Sequence, residues 1–232
     1  MLNATYLTEK YPGEEETLWT PCFRAFLGGV HPLRLPVSKC TGNPPGEAPY
    51  YELRKKDPSL LITRADKVFT PRGAGELLAE IKSRFDMFKV QDSRRYPEGK
   101  DIAGIQPDLV IVQAAISQEN SPRIYLIENK PYYESGLTGN QMAGGDYARF
   151  LKWLNECDVP CQLLILQSIS WRRYNEVVSL QDTLSPHFGV LLIEDLFEAM
   201  QRCHFQYSPI TDTEQWGNYV HKGQDFAWPT AP

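Results

Sequence analysis

Two short apolar runs mark the middle of the chain. Leu109–Ile116 and Ile124–Ile127 are rich in valine and isoleucine, and the polar segment SQENSPR separates them. Apolar runs of this length around a proline-containing turn cluster predict two strands joined as a hairpin. Pro107-Asp108 opens the first strand, and Glu128-Asn129-Lys130 closes the second.

The flanking pattern is helical, then strand-like. After Thr70-Pro71-Arg72-Gly73, the residues Leu77, Ile81, Phe85 and Phe88 follow i, i+4, i+8, i+11, which predicts an amphipathic helix of about four turns. A second helix is expected from about Gln141 to Cys157, where Tyr147, Phe150, Leu151 and Leu154 form one apolar face. Cys161–Ser170 lacks alternation across LLIL, as in a central strand covered on both faces. Val190–Ile193 and Glu194–Met200 suggest one more strand and a short helix. Upstream, Phe23–Val30 reads as a short strand with a glycine break. Five prolines between residues 31 and 50 exclude long regular elements, and Tyr50–Leu53 and Ser59–Thr63 read as short strands or turns. This order implies an α/β protein with a mixed β-sheet flanked by helices. Residues 66–200 form its core, with an N-terminal extension (1–65) packed on it and a C-terminal tail (201–232).

Strand geometry gives the hairpin chemistry. Successive side chains alternate faces, so Ile124, Leu126, Glu128 and Lys130 share one face, and Tyr125, Ile127 and Asn129 the other. In an antiparallel hairpin the start of the first strand lies beside the end of the second, which brings Asp108 to Glu128 and Lys130. Two carboxylates so placed make a hard-oxygen site suited to Mg²⁺. The lysine can hold a water or stabilise charge developing on phosphorus. The competing reading is a strand-end salt bridge on the surface, which would contribute only about 0–1 kcal/mol.

Pro-Asp, a hairpin-length gap and then Glu-x-Lys resembles the signature of the PD-(D/E)xK nuclease superfamily, the restriction-endonuclease-like fold. The resemblance covers roughly residues 73–170, under half of the chain. It implies a helix, three-strand meander, helix and strand in that order, and a metal-dependent nuclease with DNA as the expected substrate. Asp108 and Glu128 would bind Mg²⁺ or Mn²⁺, with the backbone carbonyl of Asn129 as a further ligand. Two carboxylates beside an ammonium favour its charged form, so electrostatic stabilisation is the safer role for Lys130. In such nucleases the helix before the first core strand often supplies an acidic residue. Glu80, nearer the buried edge of that helix, or Glu76 could fill the role, and a solvated helix face is the alternative for both. The resemblance also implies a glutamine and a tyrosine on the helix after Glu-x-Lys. Gln141 and Tyr147 are of that kind, but six helical steps would rotate them well apart, so Gln141 is expected to act from the helix start and Tyr147 to belong to the core. The same fold could instead bind nucleic acid or a protein without cutting.

Composition changes this picture little. The 232 residues are 42% hydrophobic and 23% charged, enough for one sizeable core. A net charge of -5 runs against a strongly basic nucleic-acid binder, so local basic patches must carry any such role. Arg94, Arg95 and Lys100 cluster around Tyr96, and Arg172 and Arg173 stand between Trp171 and Tyr174. These groups could contact phosphates and stack on bases, while solvated loops, or arginines lying over apolar surface, are the alternatives. A homodimer would let two sites cut two strands. Five irregularly spaced cysteines argue against a disulfide framework, and dispersed histidines against a histidine metal site. With no apolar run long enough for a membrane and no signal pattern, a cytoplasmic setting is expected.

Overall fold

The computed structural model describes residues 19–29, 35–41, 52–62, 67–84, 104–113, 123–130, 137–139, 141, 145–167 and 174–203. In chain order the elements are α1 (Thr20–Gly29), β1 (Leu35–Thr41), β2 (Glu52–Ile62), β3 (Lys67–Phe69), α2 (Ala74–Arg84), β4 (Leu109–Gln113), β5 (Arg123–Lys130), α3 (Asp146–Glu156), β6 (Cys161–Gln167), α4 (Tyr174–Leu184), β7 (Phe188–Leu192) and α5 (Ile193–Arg202). The strands lie in the order β2-β1-β7-β6-β5-β4-β3. β3, β4 and β5 are antiparallel neighbours, whereas β5, β6 and β7 run parallel. The parallel steps are made by α3 and α4, because parallel strands cannot be joined by a tight turn.

Alternation along each strand sorts the core into two layers. Val110, Val112, Ile124, Leu126, Leu163, Ile165 and Val190 face one side and pack with α2, α3 and α4. Leu109, Ile111, Tyr125, Ile127, Leu164, Leu166 and Leu191 face the other and pack with α1 and α5. The chain is therefore a mixed α/β protein whose mixed sheet has helices on both faces. Both faces of β4 to β7 are covered, so these strands are buried along nearly their whole length.

Several local expectations are corrected. Phe23–Val30 is not a strand: α1 runs Thr20–Gly29. Trp19, Cys22, Phe23, Phe26 and Leu27, all 0% exposed, follow i, i+3, i+4, i+7, i+8, which is the helical period. The proline-rich stretch accommodates a seven-residue strand, because β1 absorbs Pro36 with register shifts between Pro36 and Val37 and between Val37 and Lys39. The two short segments near residues 50–63 are one eleven-residue strand, β2. It contains Pro58 and lies at the sheet edge, where a missing N–H is tolerated. α4 lies between β6 and β7, where no helix was expected. Residues 19–41 supply a strand of the same sheet and a helix on its face. The third antiparallel strand, β3, precedes α2 in the chain rather than following it. Cys22, Cys157, Cys161 and Cys203 are in no disulfide, and the first three are buried. Burial pushes the thiols of Cys22 and Cys161 up, so they behave as small apolar fillers. Among the described residues no helix is long and apolar enough to cross a membrane.

Candidate active site

The hairpin closes as its pattern predicts. β4 and β5 pair from Leu109↔Ile127 to Gln113↔Arg123, and one further step sets Asp108 opposite Glu128. The Asn129 backbone N–H donates to Asp108 Oδ2 at 2.7 Å, which ties the Asp108 carboxylate to the end of β5. Glu128 is 1% exposed. The Gln141 amide donates to its Oε2, and the Tyr147 hydroxyl donates to its Oε1. An ionised carboxylate is costly to bury without donors, and these two side chains supply them. Lys130 is buried two residues on, by alternation on the face of Glu128. Asn129 faces the opposite way: its Nδ2 donates to Thr20 Oγ1 at 3.2 Å. Any ligand role for Asn129 therefore falls to its backbone carbonyl.

Tyr147 was expected to be core alone, and it is more than that. It is 1% exposed and shares the apolar layer of α3, yet its hydroxyl reaches Glu128. The argument from helical rotation fails because Gln141 is outside the helix: α3 begins at Asp146, with Gly145 as its N-cap. Gln141 sits in a turn, its N–H donating to the Thr138 carbonyl at 2.9 Å. The Thr138 N–H in turn donates to Gln141 Oε1 at 2.9 Å. That bond fixes the amide, so its Nε2 is the atom presented to Glu128. The Leu137 N–H donates to Glu176 Oε2 at 2.8 Å, anchoring the segment to α4. Burial pushes the Tyr147 phenol far up, and the charges of Glu128 and Asp108 push the same way, opposed only by a backbone contact from Gln106. Tyr147 is thus a neutral donor to Glu128, not a base. The signal that could have revealed the turn is Gly144-Gly145, a pair that disfavours helix just before Asp146.

Glu80 is engaged elsewhere. It pairs with Lys67 at 2.6 Å and with Arg84 at 3.1 Å. Lys67 stands opposite Val112, four residues along β4 from Asp108 and so about 13 Å away in a strand. The structure therefore draws Glu80 toward the other end of β4. Glu76 lies one turn nearer the Asp108 end, but its Oε2 accepts the Arg72 N–H at 2.8 Å and caps α2. Burial tends to raise the Glu80 carboxyl, while hydrogen bonds and charge from Lys67 and Arg84 outweigh it and hold the group below its ordinary 4.5. A folded-state pKa below the unfolded one adds stability above 4.5 that is lost as pH falls through the folded value. Glu80→Gln is therefore expected to be about 1 kcal/mol or less below wild type at neutral pH. Urea denaturation as a function of pH should show that gap closing in acid.

Arg94, Arg95, Lys100, Arg172 and Arg173 lie outside the described residues. Among the described residues, no three His, Cys, Asp or Glu side chains converge as a metal cage. A separate cavity of about 500 Å³ lies between α3 and the end of α4, lined by Arg149, Lys152, Asn155, Ser185, His187 and others. It includes neither carboxylate. Burial lowers the His187 imidazole there.

No family model matches the chain, and neither does any curated protein or solved structure. Fold and site together thus define a mixed α/β protein with a buried glutamate, Glu128, and a half-buried aspartate, Asp108, at one end of its sheet.

Proposed function

We propose that the chain is a metal-dependent nuclease of the PD-(D/E)xK type, with a restriction-endonuclease-like core, hydrolysing phosphodiester bonds in DNA. The observation that supports this most is Glu128: a buried strand-end carboxylate, held by Gln141 and Tyr147, with Asp108 beside it and Lys130 on the same face. A salt bridge on the surface would need none of that burial. Asp108 and Glu128 with the Asn129 carbonyl suit Mg²⁺ or Mn²⁺, because Mg²⁺ is commonly held by one or two carboxylates and keeps waters and substrate phosphate oxygens as its other ligands. When bound, the metal would polarise the phosphoryl oxygen and lower the pKa of water at the site.

The chain's own residues do the rest. Asn129 N–H sets the Asp108 carboxylate, and Gln141 and Tyr147 set that of Glu128, so neither has to reorganise on binding. Lys130 presents its ammonium to charge developing on the phosphoryl oxygens. Arg94, Arg95 and Lys100 precede the strand opening at Asp108, and Arg172 and Arg173 follow the end of β6. They are proposed to hold the phosphate backbone.

Tyr147→Phe keeps the ring and removes one donor from Glu128. Metal affinity is expected to fall about 10–100-fold, the usual loss when a ligand's hydrogen-bonding partner is removed. Calorimetric Mn²⁺ titration against wild type checks it, and unchanged affinity would remove Tyr147 from the site. The deciding experiment is cleavage of supercoiled plasmid and single-stranded DNA with Mg²⁺ or Mn²⁺, beside an EDTA control and Asp108→Ala. Metal-dependent cutting that disappears in the variant is the expected result. No cutting on any substrate would sink the nuclease reading.

A further inference from the structure

The end of the sheet that holds Glu128 and Lys130 carries another polar side chain, at the last position of β6. Gln167 is 0% exposed. It pairs in register with Lys130, and register partners in neighbouring parallel strands point to the same face, about 4.8 Å apart. Leu163 and Ile165, at the same alternation, pack in the layer of Tyr147, so Gln167 projects on the side of Glu128 and Lys130. Among the described residues, neither its Nε2 nor its Oε1 has a hydrogen-bond partner. Because both atoms lack one, the choice of amide orientation does not matter.

Gln141 is bonded at both ends, and Gln162 Nε2 donates to the Pro186 carbonyl at 3.2 Å although its Oε1 is unpaired; among the described residues Gln167 alone has both amide atoms unpaired. A primary amide buried without partners is destabilising, and an apolar side chain would serve the core of β6 better. A local rule broken in this way, one strand from a charged cluster, is what a site retained for binding looks like. We propose that Gln167 contacts the ligand directly: its amide N–H donates to a non-bridging oxygen of the bound phosphodiester, beside the Lys130 ammonium. The two groups together present a neutral donor and a cation to one tetrahedral anion. This assignment rests on the nuclease reading and names a further contact for the same phosphate.

The test uses Gln167→Leu and Gln167→Met, which keep most of the volume and remove the hydrogen-bonding atoms. Melting temperature, cleavage kinetics with Mg²⁺, and anisotropy of a fluorescent single-stranded oligonucleotide with Ca²⁺ in place of Mg²⁺ are measured for both. The expected result is an unchanged or higher melting temperature, with oligonucleotide binding weakened about 10–100-fold and a matching rise in KM. Wild-type binding and cleavage in the variants would overturn the role of Gln167 and leave the nuclease intact. Lower melting temperatures in both variants would also overturn it, since the amide would then be serving the fold. An oligonucleotide that binds wild type, is not cut, and binds the variants more weakly would keep the contact and remove the hydrolysis. A wild type that neither cuts nor binds would overturn both.

Discussion

Lys130→Ala is expected to lower kcat by about 10²–10³-fold, the usual loss when one preorganised charge stabiliser is removed from an active site. Lys130 is 9% exposed on the last position of β5, with Gln167 beside it in the next strand. Its ammonium cannot be replaced there by a mobile cation without rehydrating the strand end. Metal binding should move differently. Removing a positive charge near Asp108 and Glu128 leaves their attraction for a divalent cation intact or stronger, so Mn²⁺ affinity should hold or rise while turnover collapses. Asp108→Ala should lose both. Single-turnover cleavage beside calorimetric titration separates the two variants, and a Lys130→Ala protein that hydrolyses normally would show the lysine to be structural.

Phe197→Ala should cost about 3–5 kcal/mol of folding stability, the range for removing a buried phenyl group and leaving a cavity. Phe197 is 0% exposed on α5. Its ring centroid lies 5.7 Å from Trp19 and 6.0 Å from Phe23, and Trp19 and Phe23 are themselves stacked at 6.0 Å. These rings join the first described helix to the last across one sheet face. Domains of this size are stable by only about 5–15 kcal/mol, so the variant would lose a large fraction of its margin. Urea denaturation should show the midpoint falling with little change in slope. A loss below about 1 kcal/mol would mean the α1–α5 layer repacks around the gap.

Much of the site end of the fold was legible in the sequence because it rests on short-range pattern. Ile124, Leu126, Glu128 and Lys130 share a face through the two-residue period of a strand, and Phe150, Leu151 and Leu154 reveal α3 through the helical period. What escaped depended on partners distant in sequence or on local backbone breaks. The Pro36 strand is legible only once β2 and β7 are known to flank it. Gln141 reads as helical because the apolar stripe behind Tyr147 has no marked beginning, and only the glycine pair before Asp146 marks where the helix starts. Nothing in the sequence singles out Gln167 at the end of the LLIL run, since burial at the edge of a site leaves no mark in composition. Glu80 was placed by helical angle, which says which face a side chain occupies but not which cation on the next element will capture it.

The bond from the Asn129 N–H to Asp108 has a bearing on how this chain can change over generations. Exchanges of one apolar residue for another around it can be absorbed one at a time. A single-residue insertion or deletion within Arg123–Ile127 cannot, because it would exchange the two sides of β5: Glu128 would turn toward Thr20 and the aromatic rings of α1, and Asn129 would take its place before Gln141 and Tyr147. Descendants of this chain should therefore keep the length of β5 even where one apolar residue replaces another, and any gain or loss there should come in twos.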